Sequence, residues 1–259
     1  MLNMNLSSAW QIVILLVILC LGYYYIKLYF KARKIEREFT SIVNHTFRTP
    51  LTRIGWISKE LEKRDIPRDE YLLYLQGLDN ATSRLLEIVD LIAGIKDIKN
   101  TAGYDFVATS FRDIVEKSII KYRSEINKKN ITFHVSTFKD IPLLTVDLKK
   151  ITFVVDALVE NAIIYTQSNG KILIDCLKKS NKIIFYITDT GIGLTRANKI
   201  RLFSRFYRGS RAKLVYPDGM GLRLYLAKQI VLRHHGKIYA KSRGKNKGSV
   251  FFLELPINK

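Results

Sequence analysis

The strongest constraint on the fold of this chain is an apolar run near its N-terminus, from Trp10 to Phe30. About 20 such residues are enough to cross a bilayer as one α-helix. Tyrosines cluster at the far end of the run, and Lys27 and Lys31 introduce a basic segment there, whereas residues 1–9 carry no charged side chain. The positive-inside rule then predicts a single-pass membrane protein whose large C-terminal part is cytoplasmic.

A cleaved signal peptide is the alternative to a membrane anchor. A basic region before the run and a small-x-small cleavage site after it are both absent from the sequence. We therefore expect a membrane anchor at residues 10–30, in an inner or plasma membrane. With residues 1–9 alone outside, we expect no extracytoplasmic sensing domain, so a signal comes through the bilayer, through a partner or from the cytoplasm.

Residues 31–98 carry apolar side chains at helical spacing in two segments. Ile35, Phe39 and Ile42 recur at intervals of four and three residues, and a similar stripe runs over residues 75–92. A break that contains a proline separates the two stripes, which predicts an antiparallel helical hairpin. Because a hairpin alone cannot bury both stripes, we expect a homodimer in which two hairpins form a four-helix bundle.

The C-terminal part, residues 105–259, mixes helical and strand patterns. Capping residues at Ser110 and Asp147 predict two helix starts, and apolar alternation on both sides of residues 180–181 predicts a β-hairpin. A last helix near residues 221–235 precedes two further strand patterns. We expect an α/β sandwich in which a mixed sheet is covered by helices. The whole chain is then α+β: a transmembrane helix, a helical hairpin and this sandwich.

The formal charge of +20 makes nucleic acid, an anionic membrane surface or a polyanionic ligand worth considering. The basic residues are scattered, and zinc-ligand, RNA-binding aromatic and basic-zipper patterns are all absent from the sequence. We therefore expect no nucleic-acid partner. Cys20 and Cys176 are far apart and have no His or Cys at metal-ligand spacing, so we interpret them as inert thiols.

His45 lies in the most informative motif of the predicted hairpin. Residues 39–51 read F-T-S-I-V-N-H-T-F-R-T-P-L. This segment resembles the H-box of sensor histidine kinases, whose pattern is close to F-x-x-x-[VM]-S-H-E-[LF]-R-T-P-L. The resemblance implies that His45 is the phosphorylated residue, that Arg48 and Thr49 act in the same catalytic segment, and that Thr49 positions water for phosphatase activity. It also implies a response regulator receiver domain as the partner, with an aspartate as the acceptor.

Four motifs of the sandwich domain resemble the nucleotide-binding boxes of the same family and follow in the same order. They are residues 158–166 for the N-box, 189–193 for the first glycine box, 203–208 for the F-box and 218–222 for the second glycine box. One glycine pair would be a weak signal because such pairs usually form turns, but four ordered boxes are specific. The resemblance implies a gyrase/chaperone/kinase-type ATP-binding domain with ATP and Mg²⁺ as cofactors.

The chemistry of these boxes suits the implied ligands. Asn161 can offer an amide oxygen to Mg²⁺, which needs one or two protein oxygens besides phosphates and water. The resemblance implies that Asp189 accepts a hydrogen bond from the adenine amino group. A helix N-terminus after the second glycine box can bind phosphate oxygens, and the segment between Arg208 and Asp218 is expected to be a flexible lid. The candidate nucleotide-binding residues are Asn161, Tyr165, Asp189, Gly191, Gly193, Arg208, Arg211, Gly219, Gly221, Leu222 and Arg223.

Three features depart from the family pattern. Thr46 stands where an acid usually orients the histidine and takes its proton, and losing such a group costs on the order of 10²-fold in rate or more. Arg223 replaces the third glycine of the second glycine box, and we hypothesise that it either contacts phosphate or crowds the lid. Ala157 and Ile164 replace an asparagine and a basic residue of the N-box, so some phosphate contact is expected to be missing.

The sequence leaves three functions in competition. The one we expect is an ATP-dependent autokinase that phosphorylates His45 and passes the phosphoryl group to a response regulator. The departures favour a second reading, a membrane-anchored signalling adaptor or phosphatase with weak or no kinase activity. The third is a gyrase- or chaperone-like ATPase, but the water-activating glutamate of that class aligns with Ala157 here.

Overall fold

The computed structural model describes residues 6–63, 65–97, 103–136, 138 and 140–257. The chain divides into two compact units, residues 1–49 and residues 50–259, which are described separately. Helix α1 (Leu6–Leu61) forms the described part of the first unit and ends in the second. The sequence prediction also concerns parts of the chain that lie outside the described residues. These are the side chain of Ile35 and residues 1–5 of the segment predicted to lie outside the membrane.

The first unit contains the apolar run that is expected to cross a membrane. Val13–Phe30 is an unbroken part of α1 with a mean hydropathy of 2.0, and its side chains are all exposed. In the described part of the chain, this is the one helix that is long and apolar enough to span a bilayer, by length and composition. The predicted segment is therefore a helix of suitable length.

The second unit begins with the end of α1 and with helix α2 (Arg68–Asp97). The Trp56 and Tyr74 rings meet edge to face with centroids 5.7 Å apart. Ile57 comes so close to Gly77 that a Cβ at position 77 would lie 2.9 Å from its Cδ1 atom. Arg53, three residues before Trp56, also reaches Gly77, three residues after Tyr74, so the two helical segments lie side by side in opposite directions. Several large apolar side chains of α2 nevertheless remain exposed: Leu72, Leu73, Leu75, Leu86 and Val89.

The remainder of the second unit is the sandwich domain, built on a five-stranded mixed sheet with the strand order β2-β4-β5-β7-β6. Strands β2 and β4 are parallel, and the other neighbouring strands are antiparallel. Strands β1 and β3 form a separate antiparallel ribbon. The strands are β1 Phe106–Thr109, β2 Thr132–Val135, β3 Leu144–Asp147, β4 Lys171–Lys179, β5 Lys182–Asp189, β6 Lys237–Lys241 and β7 Ser249–Pro256. The helices are α3 Phe111–Lys121, α4 Arg123–Lys128, α5 Leu148–Tyr165, α6 Arg196–Arg201, α7 Ser210–Val215 and α8 Arg223–Arg233.

Alternation along the strands directs one face of the sheet into the core. Every second residue of β5 and β7 is buried, including Phe185 and Phe251, and apolar residues of α3, α5 and α8 complete the same cluster. Phe111 of α3 meets Phe185 edge to face with ring centroids 5.3 Å apart. Because side chains alternate between the two faces of a strand, one row of apolar residues suffices to attach the helices. The predicted sandwich with a mixed sheet is confirmed.

Local signals gave both helix starts correctly. The Ser110 hydroxyl accepts a hydrogen bond from the Asp113 N–H, and the Asp147 carboxylate accepts one from the Lys150 N–H at 2.9 Å. The ribbon of β1 and β3 is missing from the sequence prediction because strands of four residues leave almost no periodicity to detect. The segment predicted to be a flexible lid contains the short helix α7.

Candidate functional site

A pocket in the second unit lies between α5, the end of β5 and the segment that leads into α8. All four predicted nucleotide boxes contribute to its wall, and α2 adds further side chains. The predicted site residues that line it are Asn161, Tyr165, Asp189, Gly193, Arg208, Gly219, Gly221 and Arg223. Gly191, Arg211 and Leu222 belong to the same segments but do not line the pocket. The structure therefore brings most of the predicted nucleotide-binding set together.

Asp189 is the buried acid of the pocket. It ends β5, is 5% exposed, and its Oδ1 atom accepts a hydrogen bond from the Gly191 N–H at 2.8 Å. Burial raises the pKa of Asp189 to about 6, although the N–H groups of Gly191 and Ser249 lower it in part. Near neutral pH the side chain is thus an ionised acceptor in apolar surroundings, which strengthens any hydrogen bond donated to it.

The first glycine box needs its glycines for close backbone packing. A Cβ at Gly191 would lie 2.3 Å from the Tyr165 carbonyl oxygen, behind the pocket wall. Gly193 has φ +66°, and a Cβ there would lie 2.0 Å from the Gly244 carbonyl oxygen. Positive φ disfavours other residues by itself, and the contact excludes them sterically. Glycine at position 191 therefore lets the loop after Asp189 pass close to the end of α5, and glycine at position 193 lets it pass close to Gly244.

Arg208 forms hydrogen bonds with the backbone of the lid and of the residues that follow it. Its Nη1 atom donates hydrogen bonds to the carbonyl oxygens of Pro217 and Gly219, each at 2.7 Å, and its Nη2 atom donates to those of Ala212 and Tyr216. The guanidinium thus bonds one carbonyl group of α7 and three that follow it, which holds the end of α7 against the segment that leads into α8. Arg208 still lines the pocket, as predicted, but in this conformation it bonds the lid backbone.

Tyr165 is the last residue of α5 and lies beside Arg208. Burial raises the pKa of its hydroxyl, while the positive charge of Arg208 and a hydrogen bond to it act in the opposite direction. Tyr165 also lines the pocket, where the sequence prediction placed it near a nucleotide. It therefore joins the end of α5 to the residue that organises the lid.

Arg211 connects the lid to the loop after β5. Its Nη1 atom donates a hydrogen bond to the Ile192 carbonyl oxygen at 2.8 Å, and its Nη2 atom donates to the Asn246 side chain. The side chain is thus engaged outside the pocket lining. The prediction that Arg211 contacts nucleotide is not supported by a position in the pocket wall of this conformation.

The second glycine box forms the approach to α8. Gly221 has φ +69°, and a Cβ there would lie 2.8 Å from the Phe206 carbonyl carbon. Leu222 is 1% exposed and serves as a core residue, whereas Gly219 and Gly221 line the pocket. Asn161 lines the pocket from α5. The helix start and the candidate metal ligand therefore face the same space.

Arg223, the first residue of α8, is engaged by two carboxylates. Its Nη2 atom lies 2.7 Å from Oε1 of Glu87 on α2, and its Nη1 atom pairs with Glu160 on α5. Its Nε atom is buried without a hydrogen-bond partner. Of the two roles hypothesised for this residue, neither is needed to explain its present position, since the carboxylates already hold it.

Helix α2 was missed as part of this site. Arg84, Glu87 and Leu91 of α2 line the pocket. Arg84 forms an ion pair with Glu87 and donates a hydrogen bond to the Asp218 carbonyl oxygen at 2.6 Å. The available sequence signal was an opposite-charge pair three residues apart, which usually marks an exposed helix face.

The H-box residues lie on α1 in the first unit. His45 and Arg48 are exposed, so solvent reaches both side chains. Thr46 is 8% exposed, and its hydroxyl donates a hydrogen bond to the Ile42 carbonyl oxygen at 2.7 Å. The Thr49 hydroxyl lies 3.5 Å from the His45 carbonyl oxygen and is exposed. His45 is thus accessible, but the hydroxyl beside it is committed to its own helix.

A site made wholly of protein ligands for a metal is not found in the described ranges, where no group of three or more His, Cys, Asp and Glu residues lies together. The pocket instead offers single oxygen donors such as that of Asn161. Such a donor set suits Mg²⁺, which keeps several waters and shares phosphate oxygens.

Known proteins are similar to this chain in two ways, over the sandwich domain and over most of the chain. The family model of "Histidine kinase-, DNA gyrase B-, and HSP90-like ATPase" matches residues 146–259. This segment supplies most of the pocket wall, including every predicted nucleotide box. This segment is therefore similar to the ATPase domains that this family model describes.

Over most of its length the chain is similar to sensor histidine kinases, although it spans only about a third of their length. Sensor histidine kinase WalK of Bacillus subtilis (strain 168) is 30% identical over 233 residues, which are 85% of this chain but only 36% of WalK. The structure of the catalytic domain of histidine kinase ThkA is 28% identical in sequence and matches with a TM-score of 0.52. The match covers 60% of this chain and 99% of the ThkA domain. A structure of ThkA in complex with response regulator protein TrrA shares the fold, with 24% identity and a TM-score of 0.64 over 85% of this chain and 61% of that one.

Proposed function

We propose that this chain is an ATP-dependent protein-histidine kinase that phosphorylates its own His45 and passes the phosphoryl group to an aspartate of a response regulator. The observation that carries the proposal is the pocket, in which a buried acceptor, a loop of glycines and several cations meet within an ATPase domain. The kinase-like segment around an exposed His45 supplies the complementary half of the reaction.

The pocket residues fit an adenine nucleotide. Asp189 is an acceptor whose chemistry matches the adenine amino group, and apolar side chains such as Ile164 and Leu202 suit the faces of a flat base. Arg84 and Arg223 provide positive charge for phosphates in the same pocket. We assign the amide oxygen of Asn161 to Mg²⁺, which would neutralise phosphate charge during transfer.

In the proposed reaction, a neutral imidazole nitrogen of His45 attacks the terminal phosphorus of ATP. The bond from that phosphorus to the bridging oxygen breaks, and ADP leaves with the bonding electrons. The imidazole then loses its ring proton to water, because the Thr46 hydroxyl is bonded to Ile42 and is no base at neutral pH. We therefore expect slow phosphorylation relative to kinases that carry an acid beside the histidine.

The response regulator, the homodimer and the membrane belong to the same proposal. ThkA, which shares the fold, was solved in complex with response regulator protein TrrA. The exposed apolar side chains of α2 support a homodimer, because a second hairpin would remove them from water. The exposed apolar helix Val13–Phe30 supports a single-pass membrane anchor with the catalytic part in the cytoplasm.

The functional divisions that we propose follow the sequence rather than the compact units. Residues 1–9 are assigned outside the membrane, residues 10–30 to the membrane, residues 31–98 to dimerisation and phosphotransfer, and residues 105–259 to ATP binding. The family match over 146–259 supports the last of these.

Transfer of label from ATP tests the proposal directly. The chain in detergent micelles is incubated with γ-labelled ATP and Mg²⁺, and the labelled protein is treated with acid or base. Label that is lost in acid, kept in base and absent from His45→Ala supports the autokinase. His134→Ala, at an exposed histidine of β2, is the matched control and should label as the wild-type chain does. Free phosphate without labelled protein would instead indicate an ATPase.

One observation favours a second function, a phosphatase or adaptor with weak kinase activity. Thr46 is buried and bonded to Ile42, so it offers His45 no base. The Thr49 side chain is exposed and makes only a long contact of 3.5 Å with the His45 carbonyl oxygen, which leaves its hydroxyl able to position water. Measurable ATP binding without label on His45 would support this reading. Loss of phosphoryl groups from a phosphorylated regulator, abolished by Thr49→Ala, would then identify the phosphatase.

A further inference from the structure

Four charged side chains join α2 to the sandwich domain. We name them the α2–α8 ion network: Arg84 and Glu87 of α2, Glu160 of α5 and Arg223 of α8. Arg223 pairs with Glu87 and with Glu160, and Arg84 pairs with Glu87. These side chains are between 19% and 27% exposed. The network contains two cations and two anions, so its charges balance within the contact.

Further contacts make the network part of a continuous interface. The Arg84 guanidinium lies 5.6 Å from the centroid of the Tyr216 ring and bonds the Asp218 carbonyl oxygen. Further along α2, a Cβ at Gly94 would lie 3.5 Å from the Leu226 side chain of α8. Helix α2 therefore contacts the lid end and the first turn of α8 at the same time.

The same four residues line the pocket proposed for ATP. A triphosphate brings several negative charges to a wall that already holds Glu87 and Glu160, so that phosphates and carboxylates compete for the same cations. A guanidinium can bind phosphate oxygens through the same pair of N–H groups with which it binds a carboxylate, and at least as strongly. Adenosine, which has no phosphate, offers no such competitor.

We propose that Arg223 exchanges Glu87 for a phosphate group of ATP, so that nucleotide binding loosens the attachment of α2 to the sandwich domain. This inference rests on the proposed binding of ATP in the pocket and adds a regulatory role for the α2–α8 ion network. Binding linkage gives the exchange a reciprocal consequence: a change that weakens the Glu87–Arg223 pair tightens ATP binding.

The first test compares ATP with adenosine on the full chain in detergent micelles. Glu87→Gln should raise the ratio of ATP affinity to adenosine affinity by about tenfold, the effect of one partly buried ion pair. Arg223→Ala should lower that ratio, with Arg223→Lys between the two because it keeps charge without the guanidinium fork. Glu70→Gln is the matched control, since Glu70 lies on α2 outside the pocket lining and should leave the ratio unchanged.

The second test reports on the interface itself. Gly94→Cys, in a chain with Cys20→Ser and Cys176→Ala, places one thiol against Leu226. ATP should accelerate its alkylation by a maleimide severalfold, adenosine should not, and Glu87→Gln should accelerate it without nucleotide. This measurement separates release of α2 from a simple electrostatic effect on affinity.

An affinity ratio unchanged by Glu87→Gln, or alkylation that ATP leaves unchanged, overturns the exchange. Neither readout requires phosphorylation of His45. A chain that shows the exchange but no label on His45 refutes the autokinase alone, and a labelled chain without the exchange refutes this inference alone.

Discussion

Asp189→Asn should separate the stability of the sandwich domain from its binding of ATP. Burial raises the pKa of Asp189 from its ordinary 3.8 to about 6. A folded-state pKa above the unfolded value means that the folded protein keeps the proton longer. Stability from this group is complete below the unfolded pKa and is lost as the pH rises through about 6.

The magnitude follows from the size of the shift. A difference of about 2.2 pKa units corresponds to about 3 kcal/mol at neutral pH, and about 2 kcal/mol of this develops between roughly pH 4.5 and pH 7.5. The amide of the variant does not titrate, so the free energy of unfolding of wild type minus that of the variant should fall by about 2 kcal/mol over this interval. The amide also presents N–H groups where the carboxylate accepted, so ATP affinity should fall about tenfold or more.

Urea denaturation of residues 103–259, followed by circular dichroism at several pH values, measures the difference. This fragment contains the whole sandwich domain, from the start of β1 to the end of β7. Asp140→Asn, at an exposed aspartate, is the matched control for the loss of one carboxylate. A wild-type-minus-variant difference that stays constant with pH would show that Asp189 is not the buried titrating group, and the argument for its role as a charged acceptor would fail with it.

Two further substitutions test the scaffold of the pocket. Gly193→Ala should destabilise the domain by about 2 kcal/mol or more and weaken ATP binding, because of its positive φ and the contact with Gly244. Thermal unfolding and nucleotide titration measure this, with Gly103→Ala, which meets nothing within 4 Å, as the control. Lys129→Met should cost about 2 kcal/mol, since Lys129 donates hydrogen bonds to three carbonyl oxygens at the end of α5. The exposed Lys128→Met is the control in urea denaturation, and equal effects of the two lysine variants would contradict this role.

Regular elements were predictable where one local signal governs them. The alternation in β5 and the cap at Asp147 were read correctly because each depends on neighbours in sequence. The ribbon of β1 and β3 was not, because Phe106 pairs with Asp147, about forty residues away, and short strands carry little pattern. The lid helix escaped detection for a similar reason: it has six residues, and its side-chain bond to Arg208 comes from outside it.

In the candidate site too, residues of local motifs could be predicted, whereas contacts between distant segments could not. The order of the nucleotide boxes along the sequence predicted correctly that Asn161 and Asp189 lie in one pocket. This prediction was possible because each box is a local backbone arrangement with its own residue requirements. The partners of Arg223 could not be predicted, because Glu87 comes from a different helix and nothing near either residue specifies the pairing. The departure of Arg223 from the pattern of the second glycine box thus drew attention to this position, but it did not predict the ion pair with Glu87.

The bonds of Arg208 also affect how quickly nucleotide can exchange. With three lid carbonyl groups and that of Gly219 already held, little conformational freedom remains for the lid to lose when a nucleotide binds. The same bonds resist opening, so a nucleotide covered by the lid would have to wait for them to break before leaving. For a nucleotide bound as we propose, we therefore expect Arg208 to slow release more than capture.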